Sequence, residues 1–423
     1  MRVLATTAWY PNRKVAGDGV FIQKHARAIA RLNDVAVLMV QTDEAKRDYS
    51  IEIEARDASG DLPEGSKGSL YEVLVYVPKT WREIPVITGL VRMFWLLAGY
   101  LWGYRHIRRR YWAGQHAEVC HVNVLTRAAG LPWLLRRLRR IPYIITEHWS
   151  RYARQGAYPK SGMQLRLGRI FVRDASYVCP VSLNLEQSMK QWQLVNPHYT
   201  RVGNVVDTDT FAPCDAAEDS SAVSSTSIAA GHPVTRFVHV SWMRDDVKNI
   251  SGMLRVLSRL SQVRTDFHLR LIGEGNDKSM LMDLSHRLGL DSLVTFVDAR
   301  QGAALAQELC ASDALLMFSY HENQPVSVLE ALACGLPVIA TSVGSLPSML
   351  AHNRGVTVTP GNEDELYAVI DGFLTLRAAM APQQHADYAL AQQRREYVVS
   401  RHSPEVIGRQ FDALYQAARA SIG

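Results

Sequence analysis

Short apolar runs along the chain alternate with stretches whose apolar residues recur at helical spacing. The first run, 2–9, is followed by a loop, by a helical pattern at 21–33 and by a second apolar run at 35–40. This order predicts a βαβ unit built on a parallel sheet. The first half continues the series with further predicted strands at 71–77, 119–124, 143–148 and 177–182.

The alternation stops at 213–233, a stretch that is rich in Ser, Ala and Asp and has no periodicity. Such a composition is typical of a linker or a surface excursion. The second half then predicts strands at 236–241, 269–275, 294–298, 314–318, 336–341 and 355–360. The whole pattern predicts an α/β fold of two Rossmann-like domains facing across a cleft, where the carboxyl ends of both sheets can meet and bind a ligand.

Composition agrees with two globular domains. A chain of 423 residues exceeds one ordinary core, and 47% hydrophobic with 21% charged residues is typical of a soluble folded protein. The five cysteines are widely scattered, which predicts neither a disulfide framework nor a zinc site and favours a reducing cytosol. The first residues lack the pattern of a secretory signal, so we expect a cytoplasmic protein.

One segment, 84–104, is long enough to be tested as a membrane span. Pro85 and Arg92 interrupt it, and an arginine inside the hydrocarbon is costly, so the sequence favours a partly buried or interfacial helix. Charge is also uneven, because residues 1–212 carry a formal +12 and the remainder −6, with nine arginines inside 101–140. This bias indicates either a solvated surface or attraction to a polyanion, meaning nucleic acid or an anionic membrane.

The stretch HENQPVSVLEALACGLPVIAT, 321–341, places two glutamates eight residues apart. Glu322 follows a predicted strand, whereas Glu330 lies more than one turn inside the helix that Pro325 begins and Gly335 ends. The free amides of that helix start favour an anion or a hydroxyl group. The pattern suits a phosphorylated, polyhydroxylated ligand, although each glutamate taken alone could be a solvated acid.

Cations for a phosphate lie in the segment HVSWMRDDVKNISGML. Arg244 and Lys248 follow the first predicted strand of the second half, at the start of its helix. That is the usual phosphate position in a domain of this type. The alternative is a surface charge cluster in which the two cations pair with Asp245 and Asp246.

Together, these segments resemble the retaining GT-B glycosyltransferases of family 4. The resemblance rests on the E-x7-E pair with ALACGLPVIAT, on the lysine loop and RLIGEG of the second half, and on VGNVVDTDTFAP before the linker. In the first half, WYPNRKVAGDGVFIQKHARAIA and ITEHWS are similar to the family's glycine-bearing loop and histidine segment. One departure is Trp242, where many members have an arginine, and Arg244 is the candidate replacement.

The resemblance implies a role for each site residue. The cations neutralise the leaving diphosphate of a nucleotide-sugar donor, Glu330 binds the ribose, and Glu322 and His148 face the donor sugar. For His148, a satisfied core histidine is the alternative. Gly19 lets the backbone approach the diphosphate closely. The implied donor-binding residues are Gly19, Arg244, Lys248, Asn323, Gln324, Val326 and Glu330, and the implied catalytic residues are Glu322, His148 and Lys248. No cofactor and no metal are implied.

The resemblance also assigns the domains. It implies an acceptor domain at 1–212, joined by the C-terminal helix at 396–423, a linker at 213–233 and a nucleotide-sugar-binding domain at 234–395. Residues of both halves are then expected to share one donor site.

Two other enzyme classes fit the sequence poorly. A glycoside hydrolase also uses two carboxylates, but here one of them lies inside a helix whose start suits phosphate. A nicotinamide dehydrogenase is disfavoured because no GxGxxG follows the first strand. A GT-B-like sugar-nucleotide epimerase and a non-catalytic membrane scaffold stay open.

The arginine-rich segment 101–140 lies in the half that takes the acceptor in this family. Its arginines are interleaved with Trp and Leu, which favours an anionic bilayer, and no nucleic-acid-binding motif accompanies them. We therefore expect a peripheral enzyme on the cytoplasmic face of the membrane. Its expected acceptor is a lipid-linked glycan intermediate in cell-surface polysaccharide biosynthesis, with a soluble small acceptor as the alternative.

Overall fold

The computed structural model describes residues 1–421 except Ala16 and the segments 44–49, 79–84, 153–160, 215–233 and 380–383. Nearly all of the linker expected at 213–233 therefore lies outside the described residues. The chain divides into two compact units: unit 1 comprises Met1–Val205 and Pro404–Gly423, and unit 2 comprises Val206–Ser403.

The division differs by a few residues from the expected boundaries at 212 and 396. Val206 and Phe211 are buried in an apolar cluster of unit 2, and the Val206 amide donates to the carbonyl of His402. The chain thus joins the core of unit 2 before the low-complexity stretch begins, a packing fact that composition does not report.

Unit 1 is built on a seven-stranded sheet with strand order β3-β4-β2-β1-β5-β6-β7. Its strands are β1 (Arg2–Thr7), β2 (Asp34–Asp43), β3 (Glu52–Asp57), β4 (Leu70–Pro78), β5 (Val119–Asn123), β6 (Tyr143–Glu147) and β7 (Tyr177–Pro180). Its first helices are α1 (Val20–Ala30), α2 (Pro85–Arg110), α3 (Gly130–Arg139), α4 (Gly162–Asp174) and α5 (Leu183–Gln191). All predicted strands of this half are confirmed.

The edge strand β3 is the element that the sequence pattern missed. It pairs antiparallel with β4, whereas the other strand pairs of the sheet are parallel. Its residues are half-buried or exposed, since an edge strand covers only one face of the core. An acidic, polar strand of this kind has too few apolar residues to stand out from its turn-rich surroundings.

Unit 2 holds a six-stranded, wholly parallel sheet with strand order β10-β9-β8-β11-β12-β13. Its strands, all at the predicted places, are β8 (Thr235–Val240), β9 (Phe267–Ile272), β10 (Val294–Val297), β11 (Ala314–Met317), β12 (Val338–Thr341) and β13 (Gly355–Val358). Its helices are α6 (Asp245–Lys248), α7 (Ile250–Ser261), α8 (Lys278–Arg287), α9 (Gly302–Cys310), α10 (Val326–Ala333), α11 (Leu346–Leu350), α12 (Glu363–Ala379) and α13 (Gln384–His402). The strand order reverses between β8 and β11, which defines a switch point.

The last helix, α14 (Pro404–Ala420), belongs to unit 1. Ile407, Phe411 and Tyr415 of this helix are fully buried in the apolar cluster that covers one face of the unit 1 sheet. Gly408 meets α1, because a Cβ built on Gly408 would lie 2.5 Å from the carbonyl oxygen of Ala28. The absence of a side chain is thus what allows the two helices to approach.

One expectation from the cysteines is wrong. Cys214 and Cys310, 96 residues apart in sequence, form a disulfide bond within unit 2. The fold brings them together because Phe211 anchors the start of this unit in its core, and Leu309, beside Cys310, is buried in the same cluster. Scattered spacing therefore did not exclude a disulfide, and the cysteines no longer favour a reducing compartment.

Within the described residues, no helix has the length and hydropathy needed to cross a membrane. The segment at 84–104 forms most of α2, and Tyr100, Tyr104 and Ile107 of that helix are buried against the unit 1 sheet. The helix is therefore partly buried, as the interrupted apolar run predicted.

The contact at Gly408 gives a test of how α14 is held. Gly408→Ala places a methyl group against a backbone carbonyl, so we expect a loss of about 1–3 kcal/mol in the free energy of unfolding. Gly372→Ala in α12 is the matched control, because nothing lies within 4 Å of its added Cβ. That control should gain about 0.5–1 kcal/mol from helix propensity. Urea unfolding measures both, and a Gly408→Ala protein as stable as wild type would contradict the packing.

Candidate functional site

The candidate site residues of unit 2 lie at the switch point of its sheet. β8 and β11 are adjacent parallel strands, so the loops that follow them leave the same edge of the sheet side by side. The loop after β8 leads to Lys248, and the loop after β11 leads to Glu322. The carboxyl edge at a switch point is where open α/β sheets bind ligands.

Lys248 and Glu322 form an ion pair across these two loops. The Lys248 Nζ lies 2.6 Å from Glu322 Oε1, and the two side chains are only 18% and 8% exposed. The loops are also joined through their backbones, since the Tyr320 amide donates to the Val247 carbonyl at 2.8 Å. Lys248 therefore does not join the surface charge cluster that was the alternative interpretation. Its ammonium group is held beside the carboxylate that follows β11.

The backbone at Glu322 is fixed by the segment SVGS. A Cβ on Gly344, whose φ is 58°, would lie 2.1 Å from the carbonyl oxygen of Glu322, so only glycine fits this approach. Ser345 donates to the carbonyl of Asn323 from both its amide and its hydroxyl, at 2.9 and 2.5 Å. Asn323 itself is buried. Gly344 is therefore required here for a physical reason, which is that it lets this segment clamp the loop that carries Glu322.

Glu330 lies where the sequence predicted, inside α10 and beyond its first turn. It is buried, with 5% of its surface exposed. The helix begins at Val326, with Pro325 immediately before it, and its first amides have no carbonyl partner within the helix. Gln324 and Val326 flank that helix start, as the anion-site interpretation requires.

Arg244 has a different environment from Lys248. Its guanidinium makes a bidentate contact with Asp246, at 2.6 and 2.9 Å, and both side chains are about half exposed. Trp242, at the position of the family's arginine, is 54% exposed. This part of the surface-cluster interpretation holds for Arg244, whose assignment to phosphate stays a prediction.

A histidine that the sequence reasoning overlooked supports the lysine loop. Nδ1 of His239, in β8, donates to the Leu316 carbonyl of β11 at 2.8 Å, and Nε2 accepts from the Ser241 hydroxyl at 2.7 Å. Burial, and secondarily the charge of Lys248, lowers the pKa of His239 to about 4. The neutral ring therefore bridges the two strands at the switch point. The only sequence feature that indicates this role is the position of His239, a polar residue in the middle of an apolar strand.

In unit 1, Gly19 immediately precedes α1 and adopts a left-handed conformation with φ 64°. A Cβ at this position would lie 2.6 Å from the carbonyl oxygen of Trp9. Both facts require glycine, so the residue is explained locally by the return of the loop onto the end of β1. Its predicted closeness to a diphosphate is a separate claim and stays a prediction.

His148 follows β6 in unit 1. Its Nδ1 lies 3.0 Å from Asn204 Oδ1, and its ring packs against Phe21 and His25 at centroid distances of 4.6 and 5.1 Å. Burial, followed by the charge of His25, lowers the pKa of His148 well below its usual range. The neutral ring is therefore suited to hydrogen bonding rather than to pairing with an anion. Contact of the ring with the donor sugar stays a prediction.

The predicted site residues are divided between the two units, and each unit is described by itself. Unit 2 places Lys248, Glu322, Asn323 and the start of α10 at one edge of its sheet, with Arg244 turned to Asp246. Unit 1 supplies Gly19 and His148. The expectation that both units share one donor site stays a prediction. No group of three or more His, Cys, Asp or Glu suited to a metal occurs among the described residues.

Two family models match this chain. The one described as Glycosyl transferase 4-like domain matches residues 17–204 in unit 1, and the one described as Glycosyl transferases group 1 matches residues 234–390 in unit 2. Together the two models span most of both units. The chain belongs to the group 1 glycosyltransferases and is an enzyme of that class.

Named relatives extend over most of the sequence. An N-acetyl-alpha-D-glucosaminyl L-malate synthase of Bacillus anthracis is 22% identical over 305 residues, which is 71% of this chain and 75% of the relative. A D-inositol 3-phosphate glycosyltransferase of Actinosynnema mirum is 26% identical over 339 residues, or 77% of this chain and 78% of the relative.

Solved structures share the fold. A sucrose-phosphate synthase from Thermosynechococcus elongatus aligns with a TM-score of 0.72 at 19% identity, over 100% of both chains. Anabaena HepE in complex with UDP aligns with a TM-score of 0.68 at 16% identity, over 99% of this chain and 100% of that one. The predicted GT-B fold is confirmed by these likenesses.

The positions of the two glutamates give a test of their separate roles. We expect Glu330→Gln to weaken binding of both the nucleoside diphosphate and the nucleotide-sugar by about 10–100-fold, the usual cost of losing a charged hydrogen bond. Glu322→Gln should spare the nucleoside diphosphate, because it leaves Lys248 in place and free of its ion pair, and should weaken only the nucleotide-sugar. Calorimetry with both ligands measures this. Equal losses for both ligands in both variants would refute the division of roles.

Proposed function

We propose that this glycosyltransferase is a retaining enzyme that moves a sugar from a nucleotide-sugar to a lipid-linked acceptor in the assembly of a cell-surface glycan. The observation that supports the nucleotide-sugar donor is the ion pair of Lys248 and Glu322 at the switch point of unit 2. It sets a cation for phosphate and a carboxylate for hydroxyl groups beside the start of α10. A nucleotide-sugar presents both kinds of group a few ångströms apart.

The proposed roles follow from the charges. Lys248 moves from Glu322 to the diphosphate, where a fixed cation stabilises the charge that develops as the sugar leaves. The first amides of α10 assist it, since a helix start favours an anion. Glu322 then accepts hydrogen bonds from the sugar, and the buried Glu330 accepts them from the ribose. The family resemblance supports retention of the anomeric configuration.

Similar proteins support a nucleotide-sugar donor. HepE of Anabaena has been solved with UDP, with UDP and glucose, and with UDP-glucose. A Staphylococcus aureus TarM variant, similar to 70% of this chain with a TM-score of 0.52, has been solved with UDP and glycan-type ligands. A lipopolysaccharide outer core galactosyltransferase shares the fold with a TM-score of 0.61. These similar proteins favour UDP as the first nucleotide to test and a surface glycan as the acceptor class.

The exposed face of α2 supports the membrane half of the proposal. Met93, Leu97, Leu101, Arg105 and Arg109 recur every four residues and therefore form an oblique stripe that winds by about 160° around the helix from its first member to its last. All five side chains are exposed, so the stripe is apolar over its first part and basic over its last turns. Phe94 and Trp102, 63% and 61% exposed, lie beside it.

A stripe of this kind suits an anionic bilayer. Apolar side chains can enter the headgroup boundary, while arginines can extend along the surface to meet phosphate groups. Arg105 and Arg109 form no ion pair with any residue that the structure describes, unlike Arg137 of the same basic segment, which pairs with Asp174. Two arginines of the predicted segment 101–140 are thus available for a lipid surface.

Turnover of a nucleotide-sugar tests the proposed donor and the role of Lys248. The wild-type protein is screened with UDP-, GDP- and ADP-sugars and a lipid-extract acceptor, and released nucleotide and glycosylated product are measured. Lys248→Ala should lower kcat by about 10²–10³-fold, the usual loss when a charge-stabilising group is removed. Lys190→Ala removes an exposed lysine paired with Glu186 and should leave turnover unchanged.

Near wild-type turnover in Lys248→Ala would overturn the site assignment. Release of free sugar and nucleotide with no acceptor product would instead identify the epimerase-like alternative. Product with a soluble acceptor alone would reject the lipid-linked one.

Vesicle binding tests the membrane half. Wild-type protein should co-sediment with phosphatidylglycerol vesicles at low salt and be released as salt rises, because basic residues near such a surface contribute about 1 kcal/mol each. The double variant Arg105→Gln, Arg109→Gln should bind roughly 30-fold more weakly, whereas Arg287→Gln, Arg300→Gln, which removes the same charge from unit 2, should bind like wild type. Absence of lipid-dependent pelleting at low salt would reject the membrane surface.

A further inference from the structure

A buried carboxylate in unit 1 has no role in the chemistry described so far. Glu147 is the last residue of β6 and has none of its surface exposed. No cation in the described part of the chain forms an ion pair with it. A carboxylate in such surroundings is costly unless hydrogen bonds compensate its lost hydration.

Four donors surround the two carboxylate oxygens of Glu147. Oε1 accepts from the amides of His148 and Trp149, each at 2.9 Å. Oε2 accepts from the Leu125 amide at 2.8 Å and from the Tyr152 hydroxyl at 3.0 Å. Because the carboxylate is enclosed by protein and both its oxygens are occupied, Glu147 cannot itself touch a substrate.

The four donors come from separate pieces of the unit 1 edge. Leu125 lies in the loop after β5, His148 and Trp149 begin the loop after β6, and Tyr152 ends the short 3-10 turn Ser150–Tyr152. One side chain therefore ties two neighbouring loops to a turn at the carboxyl edge of the sheet. The imidazole of His148 lies at the same edge, packed against Phe21 and His25.

We propose that Glu147 is a positioning residue for the transfer reaction, whose ionised carboxylate fixes the backbone at 148–152 and thereby the orientation of the His148 ring. This inference rests on the proposed function, and it assigns to unit 1 a device that is independent of the donor residues of unit 2. Ionised Glu147 accepts from all four donors. The three amides can only donate, so a protonated carboxyl would have to reverse the bond to Tyr152, whose hydroxyl can also accept.

The energetics argue for function rather than stability. Burial raises the pKa of Glu147, with the hydrogen bonds from Leu125, Trp149, Tyr152 and His148 opposing the shift. A carboxyl group whose pKa is raised on folding binds its proton more tightly in the folded chain. The free energy of unfolding therefore falls as pH rises from the ordinary carboxyl range through the raised pKa. Ionised Glu147 thus costs stability, which suits a group retained for the geometry of the loops.

Among the titratable groups around Glu147, Glu147 itself is the one whose charge changes on the acid side of the pH profile. His148 stays neutral because burial lowers its pKa. The pKa of Tyr199, which Glu147 influences, is raised, so Tyr199 is neutral there too, and Tyr152 meets the carboxylate through its hydroxyl. As pH falls through the raised pKa of Glu147, the ionised form is lost and kcat should fall with it.

The first test is Glu147→Gln. The amide keeps the size of the side chain but turns an N–H group toward an amide donor, so we expect kcat to fall about 10–100-fold while the KM for the nucleotide-sugar stays within about twofold. The acid limb of the kcat profile should disappear with the titrating group. The control is Asp174→Asn, which alters a largely buried carboxylate at the opposite end of the strands and should keep both kcat and the acid limb.

Tyr152→Phe keeps the inference testable if Glu147→Gln does not fold. It removes one hydrogen bond to the ionised carboxylate, so the acid limb of kcat should move to higher pH by about half a unit to one unit. Tyr199→Phe is the matched control, because its hydroxyl donates to the Leu194 carbonyl and not to Glu147. An unmoved limb in Tyr152→Phe, or an unchanged kcat in Glu147→Gln, would overturn the proposal.

A spectroscopic readout separates this inference from the proposed function. In protein labelled with ¹³C-histidine, the ring signal of His148 is identified by its loss in His148→Gln. That signal should shift in Glu147→Gln and, in wild type, should titrate with the acid limb, even if no nucleotide-sugar is turned over. A His148 signal unaffected by Glu147→Gln would refute the positioning role, whereas a shifted signal without any transferase activity would refute only the proposed function.

Discussion

The ion pair between Lys248 and Glu322 is the contact that joins the two loops of the candidate site in unit 2. It exists because β8 and β11 are neighbours in the sheet although 73 residues of sequence separate Val240 from Ala314, and because the strand order reverses between them. The surrounding structure serves this juxtaposition: His239 bridges the two strands, and Gly344 clamps the loop of Glu322. The two charges neutralise each other in a largely buried setting that either would occupy alone only at a cost.

In unit 1, a single buried charge, Glu147, joins the loops at the carboxyl edge of the sheet. The loops of this unit leave the carboxyl edge of the sheet after β1, β5 and β6, and two devices hold them. Gly19 permits the close return of the first loop onto Trp9, whereas Glu147 accepts from amides of the other two loops and from the hydroxyl of Tyr152 in the turn. A preorganised edge of this kind reduces the ordering that a reaction would otherwise require of the loops. The sheet sets where the loops begin, and buried polar groups hold the loops in one conformation.

Sequence reasoning located the core strands and the motif residues but not their supports. Alternation of apolar runs and helical spacing predicted the strands of both sheets except β3, whose polar edge residues carry too little apolar signal. Glu322, Glu330 and Lys248 were found because their types and spacing form a family pattern. Their supports, His239 and Ser345, act through Leu316 and Asn323, which are 77 and 22 residues away in sequence, so no local pattern identifies them. Glu147 of unit 1 was missed because its role depends on joining Leu125, 22 residues away, to the loop that follows it.

The sequence by itself determined the alternating α/β architecture, the two-part organisation and the identity of the charged residues beside the motif helix, because these follow from short-range periodicity and spacing. Tertiary structure alone decided which charges pair. Lys248 meets Glu322 rather than its neighbouring aspartates, Arg244 turns to Asp246, and Cys214 bonds to Cys310. The physical reason is that the distant pairs depend on strand order and loop register, which bring together residues 74 and 96 positions apart in sequence.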